Sequence, residues 1–205
     1  VKEVLSATGL PLMIYGPGQA DKDNEVPEAA AEAAQGERVA LGNCEDKNYR
    51  SIVAAALAYD HLVIASTPID VNLAKQLNIL ISDMRMEIDR ILMDPTTGAL
   101  GYGLEYSYSV MERLRIAALT GDSMTQQPAI HRVGEEARRA KESKVNEGVP
   151  EEWGDWKTRS LLWEAITAET LLQAGSDIMV LRHPESIVNV KRAVSRLMQD
   201  SPEGE

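Results

Sequence analysis

The stretch DPTTGALGYGLEYSYSVMERLR, residues 94–115, concentrates residue types that bind ligands. Asp94 closes an apolar run, where a strand end presents a carboxylate as an acid; the same position also suits a helix cap or a local turn. Thr96, Thr97 and Tyr102 add hydroxyl donors, and Gly98, Gly101 and Gly103 let backbone approach a flat ligand or another chain closely. Tyr106 and Tyr108 extend a rigid amphipathic surface that serves ligands and interfaces alike. Asn43, at the end of RVALGN, has the amide to bond a heterocycle or to tie its own loop. Along the following helix Leu104, Tyr108, Met111 and Leu114 recur at helical spacing as a core stripe. Glu105, Glu112 and Arg115 remain as a solvated face.

Other chemistries lack their parts. Cys44 is the single cysteine, so no intramolecular disulfide, Cys-x-x-Cys pair or thiolate set for an iron–sulfur cluster or structural zinc exists in this sequence. No Gly-x-Ser-x-Gly elbow occurs, and no histidine is fixed near Cys44 by spacing. His131 and His183 lie near strand ends without the spaced histidines or carboxylate pairs of a metal site. The formal charge of −11 repels polyphosphates and argues against nucleic acid. No apolar run approaches the roughly 20 residues that span a bilayer, and the first residues carry no basic-then-apolar leader. The reading is a soluble, cytoplasmic protein.

The elements that must position these residues are legible as an alternation. With 205 residues, 44% hydrophobic and 26% charged, a single domain spanning 1–205 is expected. Short β-rich runs recur in PLMIYG, RVALGN, HLVIAST, RILMDP, PAIHRV and IMVLRHP, separated by helical segments. VPEAAAEAAQG closes on Gly36, DVNLAKQLNILISDM opens on Asp70 as N-cap, and SLLWEAITAETLLQAG ends at Gly175. Strands apolar nearly end to end are parallel and buried on both faces. Polar or special residues collect at their C-terminal ends: Gly16-Pro17-Gly18, Asn43-Cys44, Ser66-Thr67, Asp94-Pro95, Arg132 and Arg182-His183. No strand leads into Gly-x-Gly-x-x-Gly. The expectation is therefore a (β/α)8 barrel of the TIM type with its site on that face. A barrel takes roughly 250 residues, and the opening VKEVLSATG reads as the end of a helix stopped by Gly9. Both features predict that this chain lacks the first two βα units.

One long irregular segment, KESKVNEGVPEEWGDWK (residues 141–157), interrupts the pattern. Loops of that length are functional or mobile. Trp153 and Trp156 either fold back on their own helix or sit at a subunit interface.

DPTTGALGYGLEYSYSVMERLRIAALTGDSMTQQP, taken with VALGNCEDKNY, KQLNILISDM and LLWEAITAETLLQAGSDIMVLRHPESI, resembles the small, or delta, subunit of the corrinoid iron–sulfur protein of the CO dehydrogenase/acetyl-CoA synthase system. The likeness runs over nearly the whole chain, and GYGLEYSYSVMERLR is its most specific part. The resemblance implies a barrel paired with a large subunit that holds the iron–sulfur cluster and the corrinoid (cobalamin). Together they carry a methyl group on cobalt, loaded by a pterin methyltransferase from a methylated pterin and passed to acetyl-CoA synthase. It implies that the small subunit covers the corrinoid while the cobalt chemistry stays with the cofactor and partner.

Three readings follow. The preferred one is a non-catalytic subunit whose Asn43, Asp94, Thr96, Thr97, Gly98, Gly101, Tyr102 and Gly103 face the corrinoid, with Tyr106, Trp153 and Trp156 at the partner interface. The second is a pterin-dependent methyltransferase using Asn43 and Asp94. The third, a phosphate-binding barrel using its last loops, lacks a glycine-rich cradle because RHPESI follows the last run.

Overall fold

Six short apolar runs form the strands, and each is long enough only to cross a buried layer. The computed structural model describes residues 1–17 and 22–199; Gly18, one of the expected strand-end residues, lies outside the described residues. Strands β1 (Met13–Tyr15), β2 (Ala40–Cys44), β3 (Leu62–Ser66) and β4 (Ile91–Asp94) form one sheet in the order β1-β2-β3-β4. All its pairings are parallel, with Met13 opposite Ala40, Ala40 opposite Leu62 and Val63 opposite Ile91. β5 (Ile130–His131) and β6 (Ile178–Met179) form a second parallel pair. All six expected runs are strands, and the α/β class with parallel strands is the observed one.

The chain divides into two compact units. The first comprises Val1–Pro95 with Leu114–Ala129, and the second Thr96–Arg113 with the chain from Ile130 onward. In the first, helices α1 (Lys2–Ala7), α2 (Lys22–Ala33), α3 (Tyr49–Ala58) and α4 (Val71–Asp83) alternate with the strands. Ala129 adds a parallel bridge to Met93. Leu41, Ile52, Val53, Val63, Ile81 and Ile91 fill this unit's core and are fully excluded from water. Helix α5 (Leu104–Leu119) begins in the second unit and ends in the first. The second unit adds α6 (Val133–Ala137), α7 (Lys141–Lys144), α8 (Trp156–Gln173) and α9 (Pro184–Gln199). Leu104, Val133, Ala168, Leu171 and Val190 form its core.

Local chemistry explains the element ends. The Asp70 carboxylate accepts from the N–H groups of Asn72 and Leu73 at 2.7 and 3.0 Å, as expected of an N-cap. Gly175 ends α8 with φ +98°, which an L side chain resists. α2 starts before VPEAAAEAAQG, with Pro27 tolerated in its first half. Buried Arg90 has no sequence signature. Its guanidinium donates to the carbonyls of Ala56 (3.0 Å) and His61 (3.1 and 2.5 Å), tying the end of α3 to the start of β3.

Lys75 on α4 donates to Asp122 at 2.5 Å, and Asn78 donates to the Met124 carbonyl and Gln127 Oε1 at 2.9 and 3.0 Å. The Lys75 hydrogen bond is the main cause that holds Asp122 below the usual carboxylate range. A carboxyl with a depressed folded pKa contributes stability that is present above its unfolded pKa of about 3.9 and is lost as pH falls through the folded value. Lys75→Met should therefore lower the denaturation midpoint near neutrality and flatten its decline on acidification. Urea unfolding followed between about pH 2 and pH 6 checks this.

Candidate functional site

In the first unit, three consecutive strands end in polar residues. Asp94 is buried at the end of β4; its Oδ2 accepts from Ser66 Oγ at 3.4 Å, and its carbonyl accepts from Thr67 N–H at 2.9 Å. Asn43 stands at the end of β2, beside a register shift between Leu41 and Cys44. The loop after β2 is tied by Asn48, whose amide donates to the Asn43 carbonyl at 3.1 Å and whose Oδ1 accepts from Glu45 N–H at 2.7 Å. The Asn43 side chain is thus left over from loop formation, and its Oδ1 is buried without a hydrogen-bond partner. A buried amide oxygen of this kind favours a donor from a bound molecule. Cys44 next to it is buried, and burial pushes its thiol up to about 12, so it is no nucleophile.

The second unit contains Thr96–Gly103 and Tyr106. Here the turn closes on itself. Ser107 Oγ accepts from Gly98 N–H at 2.6 Å and donates to the Thr96 carbonyl at 3.2 Å, while Leu104 N–H returns to the Ala99 carbonyl at 3.2 Å. A Cβ on Gly98 would stand 2.2 Å from the Gly103 carbonyl oxygen. Gly98 therefore makes room for this chain's own backbone. Gly101 and Gly103 have φ of +73° and +90°. Thr97 is buried with its Oγ1 unpartnered, and Thr96 is exposed.

Gly101, Tyr102 and Tyr106 form the exposed rim of this turn. The Tyr102 hydroxyl donates to Glu142 Oε2 at 2.8 Å and accepts from Lys141 N–H at 3.3 Å. The Glu142 carboxyl is held below its ordinary range, first by its own backbone N–H and then by Tyr102. Behind the rim, Trp163 donates its indole N–H to the Leu100 carbonyl at 2.9 Å, and Thr167 Oγ1 accepts from Leu100 N–H at 3.2 Å.

Segment 141–157 is ordered by one side chain. Arg159 is buried and donates to the carbonyls of Glu142 (2.7 Å), Trp153 (2.9 Å), Gly154 (3.1 Å) and Val145. It also lies 5.3 Å from the centroid of the Trp153 ring. Trp153 remains exposed at its outer edge, and Trp156, the first residue of α8, is half-buried. Glu142 thus links the Tyr102 rim to the arginine that holds Trp153.

Three further titratable groups bond within the chain. Glu164 is buried and accepts from the N–H groups of Arg182 and His183 at 3.0 and 2.9 Å, shaping the turn from β6 into α9. His131 shares a 2.9 Å bond with Ser176 Oγ, and His183 Nδ1 accepts from Glu185 N–H at 3.3 Å. Among the described residues no group of three His, Cys, Asp or Glu side chains is placed to hold a metal. Ser107, Glu142, Arg159, Trp163 and Glu164 were not singled out in the sequence. Only Ser107 leaves a trace there, as a small polar residue one turn from Leu104 on the stripe side of α5.

Parallel strands with helical crossovers and polar strand ends define an α/β protein of the dihydropteroate synthase fold. The Xanthomonas albilineans dihydropteroate synthase in complex with 7,8-dihydropteroate superposes with TM-score 0.64 at 15% identity, over 98% of this chain and 71% of the enzyme. The Thermus thermophilus enzyme gives 0.61 at 15% identity over 96% and 74%. Sequence goes further than fold. The family model of the CO dehydrogenase/acetyl-CoA synthase delta subunit matches residues 1–192, and the chain belongs to that family. The acetyl-CoA decarbonylase/synthase complex subunit delta of Methanosarcina mazei is 42% identical over 202 residues, 96% of this chain and 46% of the relative. That of Methanopyrus kandleri is 38% identical over 206 residues, 100% of this chain and 50% of the relative. The chain spans about half the length of these curated relatives.

The two kinds of glycine separate experimentally. Gly98→Ala should destabilise the protein by about 3 kcal/mol or more, since its methyl group meets backbone. Gly101→Ala meets only the edge of Trp163 at 3.7 Å and should cost about 1–2 kcal/mol through its positive φ. Thermal unfolding of both variants checks the order.

Proposed function

We propose that this chain is part of the delta subunit of a corrinoid iron–sulfur methyl carrier. In this reading it passes a methyl group from a methylated pterin towards acetyl-CoA synthase, in the cytoplasm, beside a large subunit that holds corrinoid and iron–sulfur cluster. The observation that carries the reading is the family match over residues 1–192. The full-length subunit we take to be a closed barrel of eight strands, to which the six strands here contribute; the extent of the dihydropteroate synthase likeness supports it.

The residues fit a flat macrocycle unevenly. Gly101 and Tyr102 are exposed and leave a rim against which such a ring can lie. Thr97 and Gly98 are buried in the same turn, so their part is to support the rim, while Asn43 and Asp94 belong to the strand ends of the other unit. Bound there, the corrinoid would supply the cobalt that holds the methyl group. The chain's own share is to cover one side, exclude water, and offer the Tyr102 hydroxyl once Glu142 releases it. Tyr106, Trp153, with its outer edge exposed, and Trp156, half-buried at the start of α8, are assigned to the partner side.

The test uses the native-length subunit reconstituted with its large subunit. Tyr102→Ala should shift the visible corrinoid spectrum or slow methylation by the pterin methyltransferase by about tenfold, while Glu112→Gln, on the exposed face of α5, changes neither. A Tyr102→Ala complex with normal spectrum and rate would show that the rim does not cover the corrinoid. Gly101→Val is a poorer probe, because φ +73° makes it strain the turn itself.

A second reading, a pterin-dependent methyltransferase, draws on the unpartnered Asn43 Oδ1 at the end of β2 and on Asp94, bonded to Ser66 at the end of β4. It expects methylated pterin to bind the isolated subunit at micromolar concentration and to be lost in Asn43→Ala. No binding by calorimetry removes it.

A further inference from the structure

Helix α8 carries apolar side chains on a face that its own unit does not use. Leu162 and Ile166, one turn apart, are 47% and 44% exposed. The core face of the helix is already occupied: Ala165, Ala168 and Leu171 are buried, Glu164 is bonded to the β6–α9 turn, and Thr167 to Leu100. The exposed pair is therefore surplus to folding. Trp163 lies beside it on the helix and brings its ring edge to Gly101, while Tyr106, 65% exposed, lies with its ring 3.5 Å from the Cβ position of Gly103. Leu162, Ile166 and Trp163 on α8 and Tyr106 at the start of α5 thus border the same turn, Trp163 at Gly101 and Tyr106 at Gly103, and together they form an apolar strip around it. Its borders are acidic: Glu169 is one turn beyond Ile166, Glu105 adjoins Tyr106, and Glu142 holds Tyr102.

We propose that this strip is the docking surface for another subunit of the complex, one whose matching face offers apolar sockets edged by Lys and Arg. The proposal rests on the reading of the chain as a complex subunit and adds where, and against what chemistry, it docks. Aromatic and aliphatic anchors inside a charged rim are the usual makeup of such a surface. A second copy is the wrong occupant, because an isologous pairing sets the same acidic rim against itself in a chain already at −11.

The experiment measures binding of the native-length subunit to the remaining purified subunits of its complex, by biolayer interferometry over a range of salt. The triple variant Tyr106→Ser, Leu162→Ser, Ile166→Ser should weaken binding at least about tenfold while melting at the same temperature. Glu105→Lys with Glu169→Lys should weaken it too and reduce its salt dependence. Ile116→Ser with Leu119→Ser, an exposed apolar pair at the other end of α5 (61% and 87% exposed), should change nothing. Normal binding by the triple variant overturns the proposal and leaves the subunit reading standing. Failure of the unaltered subunit to bind any other subunit overturns that reading and the proposal with it. A homodimer of the unaltered subunit that the triple variant abolishes assigns the strip to a second copy, and also overturns the proposal.

Discussion

Two stretches of backbone, at Gly98 and Gly103, lie closer together than any side chain permits, and the exposed face of the second unit depends on that approach. Because Gly98 contributes no Cβ, the turn folds flat enough for Ser107 to bond both of its ends. A flat turn puts Leu100 within reach of Trp163 and Thr167, and leaves Tyr102 and Tyr106 as the outermost groups. Substitute the glycine and the rim loses its base before any ligand is considered.

Charge inside the protein is handled the same way twice. Arg90 in the first unit and Arg159 in the second are buried guanidinium groups, and each is satisfied largely by main-chain carbonyls. Guanidinium cannot shed its proton, so burial obliges it to find several acceptors at once. Helix ends and loops supply them, since their carbonyls have no ladder to join. The result is order without secondary structure: the segment through Trp153 needs no strand or long helix because a single side chain collects its carbonyls.

These contrasts mark what the sequence discloses and what it hides. PLMIYG through IMVLRHP read as strands because each is a short apolar run between turn residues, and Asp70 reads as a cap because its role is settled within three residues. Asn43 and Asp94 were visible as strand-end polar groups for the same local reason. Arg159 and Glu164 were not, because a charged residue in a helical pattern looks solvated until its partners, from five to nineteen positions away, are brought to it. The Tyr102 hydroxyl, read as free for a ligand, bonds a carboxylate 40 positions along the chain. The glycines were located correctly as special, yet Gly98 answers to the chain's own backbone; periodicity and composition carry no information on which of two close approaches a glycine serves.

Cys44 closes off a class of side reactions and opens a practical route. As the one thiol in the sequence, sealed in the core with its proton held up to about 12, it stays out of disulfide exchange and alkylation. A cysteine introduced anywhere on the surface of this chain would then be its sole reactive sulfur. A spin label or fluorophore attached there reports from a single address, with no background from the native residue and no need to remove it first.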